Sequence, residues 1–366
     1  MIKYPDYDDS ILSLSNSILK HYNLEYHHKT IKEIDDLLLK NYDNVILMIF
    51  DGMGSYNINK MLDKDSFLIK HKVKNISSVF PPTTTAATTT LYSGLSPKEH
   101  GWLGWSLHFD EINDNINIFV NTNDDNVEFK HFNVANKIIP YESIVNRINN
   151  RGTANAFSVS QFGTNIIDSF DELFEEIENI GSTSQNNYIY TYWNEPDSSM
   201  HELGTDNDDV KVWFIRINKS VEKLSNKLKN TLIIVTADHG HIDIKGKCIL
   251  DYPKLLKTLK FLPSVESRAI SFFIKEGMHN QFEEEFNKNF KNDFLLLKHQ
   301  KVMDMKLFGE GSAHRKTEDF IGDYLAIAIN NITLFNSYQE TNHFKGAHAG
   351  LTEEEMMVPL IAIECK

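Results

Sequence analysis

Two apolar runs in this chain end on residues that bind metals well: Val45–Phe50 leads into Asp51-Gly52, and Leu232–Thr236 leads into Asp238-His239-Gly240. An uninterrupted apolar run closed by glycine suits a strand buried on both faces, and such a strand needs helices above and below its sheet. Further strand-like runs are Asn75–Phe80, Ala154–Ser160, Tyr188–Tyr192, Ala269–Ile274, Tyr324–Ile329 and Val358–Ile363. Helical patterns alternate with them. The longest is Asp208–Lys229, where Val210, Trp213, Ile217, Val221, Leu224 and Leu228 step by three or four along one face. The alternation predicts an α/β fold, doubly wound about a mainly parallel central sheet with helices on both faces. In such sheets ligands gather at the carboxyl ends of the strands, where Asp51, Asp238 and His239 stand.

With 366 residues the chain can form a single catalytic α/β domain over 1–366. Two stretches interrupt the alternation. Ser106–Val120 reads as a polar hairpin around Asn113-Asp114-Asn115, and 252–320, rich in Lys, Glu, Asn and Phe, as a small α+β cap insertion with its own strand (Ala269–Ile274) and helix (Asn280–Phe290). The first forty residues fit two short helices, one with Ile11, Leu14 and Ile18 inward and one with Ile31, Ile34 and Leu38. No apolar run approaches the ~20 residues a bilayer span needs, so no membrane partner is expected. A net charge of -14 argues against polymeric nucleic acid as a partner. Cys248 and Cys365 form no C-x-x-C pair, and the polar opening Met1–Asp6 leads to the expectation of a cytoplasmic protein.

Other ligand-type residues lie elsewhere in the chain. Asp197 and His201 are four apart after Pro196, so one helical turn would aim both side chains the same way. His348 sits in Gly346-Ala347-His348-Ala349-Gly350, where small neighbours allow a crowded backbone approach. Each has an ordinary alternative: a helix cap for Asp51 or Asp197, a surface or loop histidine for His201 or His348. His241 and Asp243 read as outer partners or plain loop residues. The turn Pro81-Pro82-Thr83-Thr84-Thr85-Ala86-Ala87-Thr88-Thr89-Thr90 offers hydroxyl nucleophiles where a helix can begin, with free backbone N–H groups to receive an anion. A bound metal would activate such a hydroxyl, whereas capping alone accounts for most of these threonines.

Taken in order, these motifs resemble the alkaline phosphatase superfamily, and within it the type I phosphodiesterase/nucleotide pyrophosphatase branch. The resemblance runs from Asp51-Gly52 through Phe80-Pro81 and the Thr turn, then Ser93-Gly94-Leu95-Ser96-Pro97-Lys98-Glu99-His100-Gly101. It continues with Glu195-Pro196-Asp197-x-x-x-His201-x-x-Gly204 and Asp238-His239-Gly240, and closes at His348. It implies Thr84 as nucleophile, counted back ten residues from Gly94. It also implies one metal held by Asp197, His201 and His348, and a second held by Asp51, Asp238 and His239 with Thr84. The branch's Asn-His pair after the nucleophile is replaced here by Ala87-Thr88.

The expectation is therefore a two-metal phosphoester hydrolase, a phosphodiesterase or nucleotide pyrophosphatase acting through a phospho-threonine. Its substrate would be a small phosphate ester, with nucleotides among the candidates. Mixed Asp/His ligands favour Zn²⁺, then Mn²⁺. The rivals are a phosphomonoesterase or phosphonate hydrolase on the same scaffold, and a non-catalytic metal- or phosphate-binding protein. Arg268 and Arg315 are the arginines placed to reach a third phosphoryl oxygen from the cap, and Tyr92, Trp102, Trp105 and Trp193 are the flat surfaces available to a leaving group.

Overall fold

A computed structural model describes residues 1–183 and 186–366. Its centre is a seven-stranded sheet in the order Lys72–Ser77, Met357–Cys365, Thr231–Thr236, Asn44–Phe50, Asn187–Trp193, Asn155–Ser160, Asn165–Ile166. The last five pair in parallel, and Met357–Cys365 runs against both of its neighbours. Every residue of Asn44–Phe50 and Thr231–Thr236 is buried, as a strand covered on two faces requires.

Helices Ile11–His21, Thr84–Ser93, Ile144–Arg151, Phe170–Thr183 and Asp208–Ser225 cover the sheet and bury it in one apolar core. Asp208–Ser225 turns Val210, Phe214, Ile217, Val221 and Leu224 inward, so the period seen in the sequence is the buried face except at Trp213, which is only half-buried while Phe214 takes the inward place. It stops before Lys229, and Leu228 packs from the loop beyond it. The doubly wound, mainly parallel α/β class is borne out.

A second seven-stranded sheet is antiparallel throughout: Phe294–Lys298, Tyr324–Ala328, Ala269–Phe272, Ser264–Val265, Ser106–Phe109, Asp114–Asn117, Thr122–Asn123. The stretch 252–320 supplies three of these strands. The hairpin predicted around Asn113-Asp114-Asn115 forms and completes one side, through Val265 opposite Ser106. Tyr324–Ala328, which reads in the sequence like one more buried parallel strand, is an inner strand of this second sheet, next to its edge strand Phe294–Lys298, and antiparallel partners on both sides bury it equally well. Asn75–Phe80 also shifts. The strand is Lys72–Ser77, at a sheet edge, and its alternately exposed Lys72-Val73-Lys74-Asn75 half hides it from a search for apolar runs.

Candidate active site

All seven residues singled out in the sequence meet at the carboxyl end of the central sheet. Asp51 directly follows its strand and extends the ladder: its N–H donates to Trp193 O at 3.0 Å, and its own C=O accepts from Asp197 N at 3.0 Å. Asp197 opens the helix Asp197–Leu203, and His201 lies one turn on. Thr84 is the first residue of the helix Thr84–Ser93, capped by Thr83 in extended conformation. The turn at Asp238-His239-Gly240 is tight because Gly240 lies against the backbone; a Cβ there would come within 1.9 Å of Glu354 O. His348 is brought in by the short strand Gly346–Ala347, paired with Ile242–Asp243. A Cβ on Gly346 would stand 2.6 Å from the His241 ring and 2.7 Å from Met200 O, so the crowding read from the small residues around His348 is present.

Two clusters emerge. In one, Asp197 Oδ2 lies 3.3 Å from His201 Nε2, and Asp197 Oδ1 lies 3.8 Å from His348 Nε2. In the other, His239 Nε2 lies 3.2 Å from Asp51 Oδ1 and 3.5 Å from Asp238 Oδ2. The Thr84 hydroxyl is 3.3 Å from both Asp51 Oδ2 and His239 Nε2. The clusters adjoin, with the His239 and His348 rings stacked 3.7 Å apart.

These residues fit metal ions on three counts. His201, His239 and His348 each direct Nδ1 at a backbone carbonyl, of Gly346 (2.9 Å), Gly240 (3.0 Å) and Pro82 (3.2 Å). That fixes the tautomer and presents three Nε2 lone pairs to the clusters. Asp51 Oδ1, Asp197 Oδ1 and Asp238 Oδ2 are buried without a hydrogen bond among the described residues. Three buried carboxylates with no Lys or Arg paired to them, among the described residues, need positive charge from elsewhere. Burial, then the charge of Asp197, pushes the Asp51 carboxyl well up; burial, then Asp51, does the same to Asp238. Asp197 also feels burial, but the surrounding histidines, His201 first, hold it well below the ordinary range. Burial keeps His348 neutral, as a nitrogen ligand must be.

Three further residues belong to this site. His241 is buried with neither ring nitrogen hydrogen-bonded among the described residues, and its Nε2 lies 3.3 Å from Asp197 Oδ1. Its signal in the sequence is only its place two residues after His239. Tyr192 donates its hydroxyl to Asp51 Oδ2, the oxygen that also faces Thr84. It sits on a strand whose whole pattern reads as core, so nothing local marks it. Glu266, from the second sheet, accepts from the Thr83 hydroxyl at 2.6 Å and from Trp105 N–H at 2.8 Å. No sequence pattern joins it to Thr83, since 183 residues separate them.

Other expectations are corrected. Arg268 is fully buried and its guanidinium is occupied by Glu355, Ile332 O, Thr333 and Asn330 O, so it has no N–H to offer a phosphate. Trp102 is core, with its indole N–H on Ile139 O, and buried Trp193 packs on Phe170. Tyr92 packs on Tyr190. Trp105, 42% exposed, is the tryptophan open to a ligand. Thr88 donates back to Thr84 O, and Ala87 is core, so neither side chain takes over from the missing asparagine.

The strand-end carboxylates, the histidines and the threonine at a helix start define a metal-dependent phosphoester hydrolase of the alkaline phosphatase superfamily. More narrowly, the chain belongs to the type I phosphodiesterase / nucleotide pyrophosphatase family, whose sequence model matches residues 45–350. Among solved structures, murine ectonucleotide pyrophosphatase/phosphodiesterase 5, as an inactive variant in complex with AMP, superposes with a TM-score of 0.66 at 17% identity, over 87% of each chain. The human protein of that name gives 0.66 at 18% over the same shares. Phosphonoacetate hydrolase from Sinorhizobium meliloti, in complex with phosphonoformate, gives 0.63 at 15%, over 88% of this chain and 90% of its own. A comparison with curated protein sequences finds no match. No described helix is long and apolar enough to cross a membrane.

Proposed function

We propose that this chain is a phosphodiesterase that takes two divalent cations, Zn²⁺ or Mn²⁺, and uses Thr84 as its nucleophile. Asp197, His201 and His348 would hold one ion, and Asp51, Asp238 and His239 the other. The observation that carries the reading is the Thr84 hydroxyl, set 3.3 Å from both Asp51 and His239 at the start of a ten-residue helix. When bound, the cations supply positive charge that favours the deprotonated hydroxyl and the phosphoryl oxygens.

The chain's own residues account for the rest. Asp51 Oδ2 faces the Thr84 proton and orients the hydroxyl. The first N–H groups of the helix Thr84–Ser93 have no intrahelical acceptor and face an incoming anion. Thr84 Oγ1 bonds to phosphorus as the ester oxygen of the leaving alcohol departs with a proton. Water then cleaves the phospho-threonine and restores the hydroxyl. Tyr192 keeps Asp51 in place through its hydroxyl.

A diester is the preferred substrate because Arg268, one of the two arginines read as able to meet a monoester's third charged oxygen, is committed to Glu355 and to the carbonyls of Ile332 and Asn330. A nucleotide leaving group would meet Trp105, which stands exposed beside Glu266. The test is turnover of a diester, a monoester and a phosphonate ester sharing one leaving group, with Zn²⁺ and Mn²⁺ at fixed pH. The diester should lead by about tenfold in kcat/KM, ~1.4 kcal/mol. A leading monoester would transfer the reading to phosphomonoesterase, and a leading phosphonate to phosphonate hydrolase.

A further inference from the structure

The motif Ser93–Gly101 contributes nothing to the chemistry above, yet one of its side chains gathers two histidines from a distant segment. Glu99 lies in the short helix Pro97–His100, and its carboxylate meets His27 Nε2 at 2.5 Å through Oε1 and His28 Nε2 at 2.6 Å through Oε2. The two rings are neighbours in the chain and 4.2 Å apart in space. One ligand atom from each of the three residues can be chosen so that all lie within 4.8 Å of one another.

We propose that His27, His28 and Glu99 form a separate site for one divalent transition-metal cation, Zn²⁺ by its donor set. Two imidazoles and one carboxylate are a zinc set that leaves a fourth position for water. The environment suits it. Glu99 and His28 are nearly buried, with side chains 7% and 10% exposed, while His27 is 52% exposed and gives an ion a path in. Glu310 adds negative charge near His28.

Room beside the carboxylate depends on one residue. Gly311 has φ +104°, and a Cβ on it would fall 2.2 Å from Glu99 Oε1. The same carboxylate accepts from Ser96 N–H at 2.8 Å, and the Ser96 hydroxyl donates to Glu310 O at 2.7 Å. An ion here would therefore join the N-terminal segment to the helix pair after Thr84 and, through Ser96, to the loop around Glu310. The site stands apart from the catalytic clusters, because none of its ligands belongs to them.

The alternative is a pair of hydrogen bonds from two histidines to one carboxylate with no ion. Replacing both histidines by glutamine separates the two, since a side-chain amide still donates to Glu99 but is a poor zinc ligand. The purified, zinc-loaded protein and the His27→Gln/His28→Gln variant are passed through gel filtration, and bound zinc is counted. The variant should retain one equivalent fewer than the unmodified chain, whatever the count at the catalytic centre. Diester turnover should stay within about twofold. Zinc should also raise the unmodified protein's Tm more than the variant's. Equal zinc in both proteins overturns the site. If the double variant does not fold, His27→Gln alone, at a half-exposed position, should weaken binding of the extra equivalent by about tenfold. Unchanged binding there is equally fatal to the proposal.

Discussion

His241 Nε2 lies 3.3 Å from Asp197 Oδ1, close enough to attract that oxygen but not aligned as a hydrogen bond. The His241 ring meets the His201 ring at 4.6 Å and the His348 ring at 5.5 Å. A buried imidazole with both nitrogens unpartnered is costly unless the neighbouring cluster gains from it. His241→Ala should therefore weaken zinc retention about ten- to a hundredfold in competition with a chelator. Activity with saturating zinc should fall much less. A variant that holds zinc as tightly as the unmodified chain would make His241 a packing residue.

Thr84→Ala should remove at least ~3 kcal/mol of transition-state stabilisation, a rate loss of about a hundredfold or more, with metal content unchanged. Thr83→Ala loses only the hydroxyl bonded to Glu266, and should cost far less. Steady-state kinetics on an activated diester decides between them. Mass spectrometry of acid-quenched turnover should find the added phosphoryl group on the peptide carrying Thr84.

The Glu266 carboxyl is pushed up to about 7, chiefly by burial, against help from Thr83 and the Trp105 N–H. A carboxyl raised above its ordinary 4.5 keeps a proton in the folded state that the unfolded chain has already released. Stability of the metal-free protein should thus fall as pH rises from about 4.5 to about 7, then level off for this group. Glu266→Gln should flatten that part of the profile and leave the variant the more stable protein above it. Urea denaturation across this range is the measurement, and parallel profiles would remove Glu266 as the cause.

Arg268→Met should cost about 3–5 kcal/mol, since it strands Glu355 in a fully buried position. The preference for diester over monoester in the remaining folded enzyme should not move, because the guanidinium never reaches the phosphate. A change in that ratio would return Arg268 to the site. Arg268→Met/Glu355→Leu, which removes both charges, should recover much of the stability.

The strand-end motifs were legible because each is local. An apolar run, a carboxylate and a glycine at Phe50-Asp51-Gly52 carry their meaning within three residues, and so does Thr236-Ala237-Asp238-His239-Gly240. Their convergence followed from the parallel sheet, which puts all such ends on one edge. What escaped depends on distant partners. Tyr324–Ala328 has the composition of a buried strand, and only its pairing with Ala269–Phe272 and Phe294–Lys298 assigns it to the second sheet. Arg268 looked available from its place in the chain, and Glu355 cancels that. Glu266 and Tyr192 act through contacts that no window of sequence contains.

The carbonyls that hold His201, His239 and His348 have a consequence for how this site tolerates change. The acceptors belong to Gly346, Gly240 and Pro82, and they are main-chain atoms, so a side-chain exchange nearby does not remove them. The aim of the three imidazoles is thus recorded in the path of the backbone rather than in the identity of neighbouring residues. A chain can replace most of its surroundings, as the 17% identity to the murine protein illustrates for the fold, while this way of aiming imidazoles stays open to it.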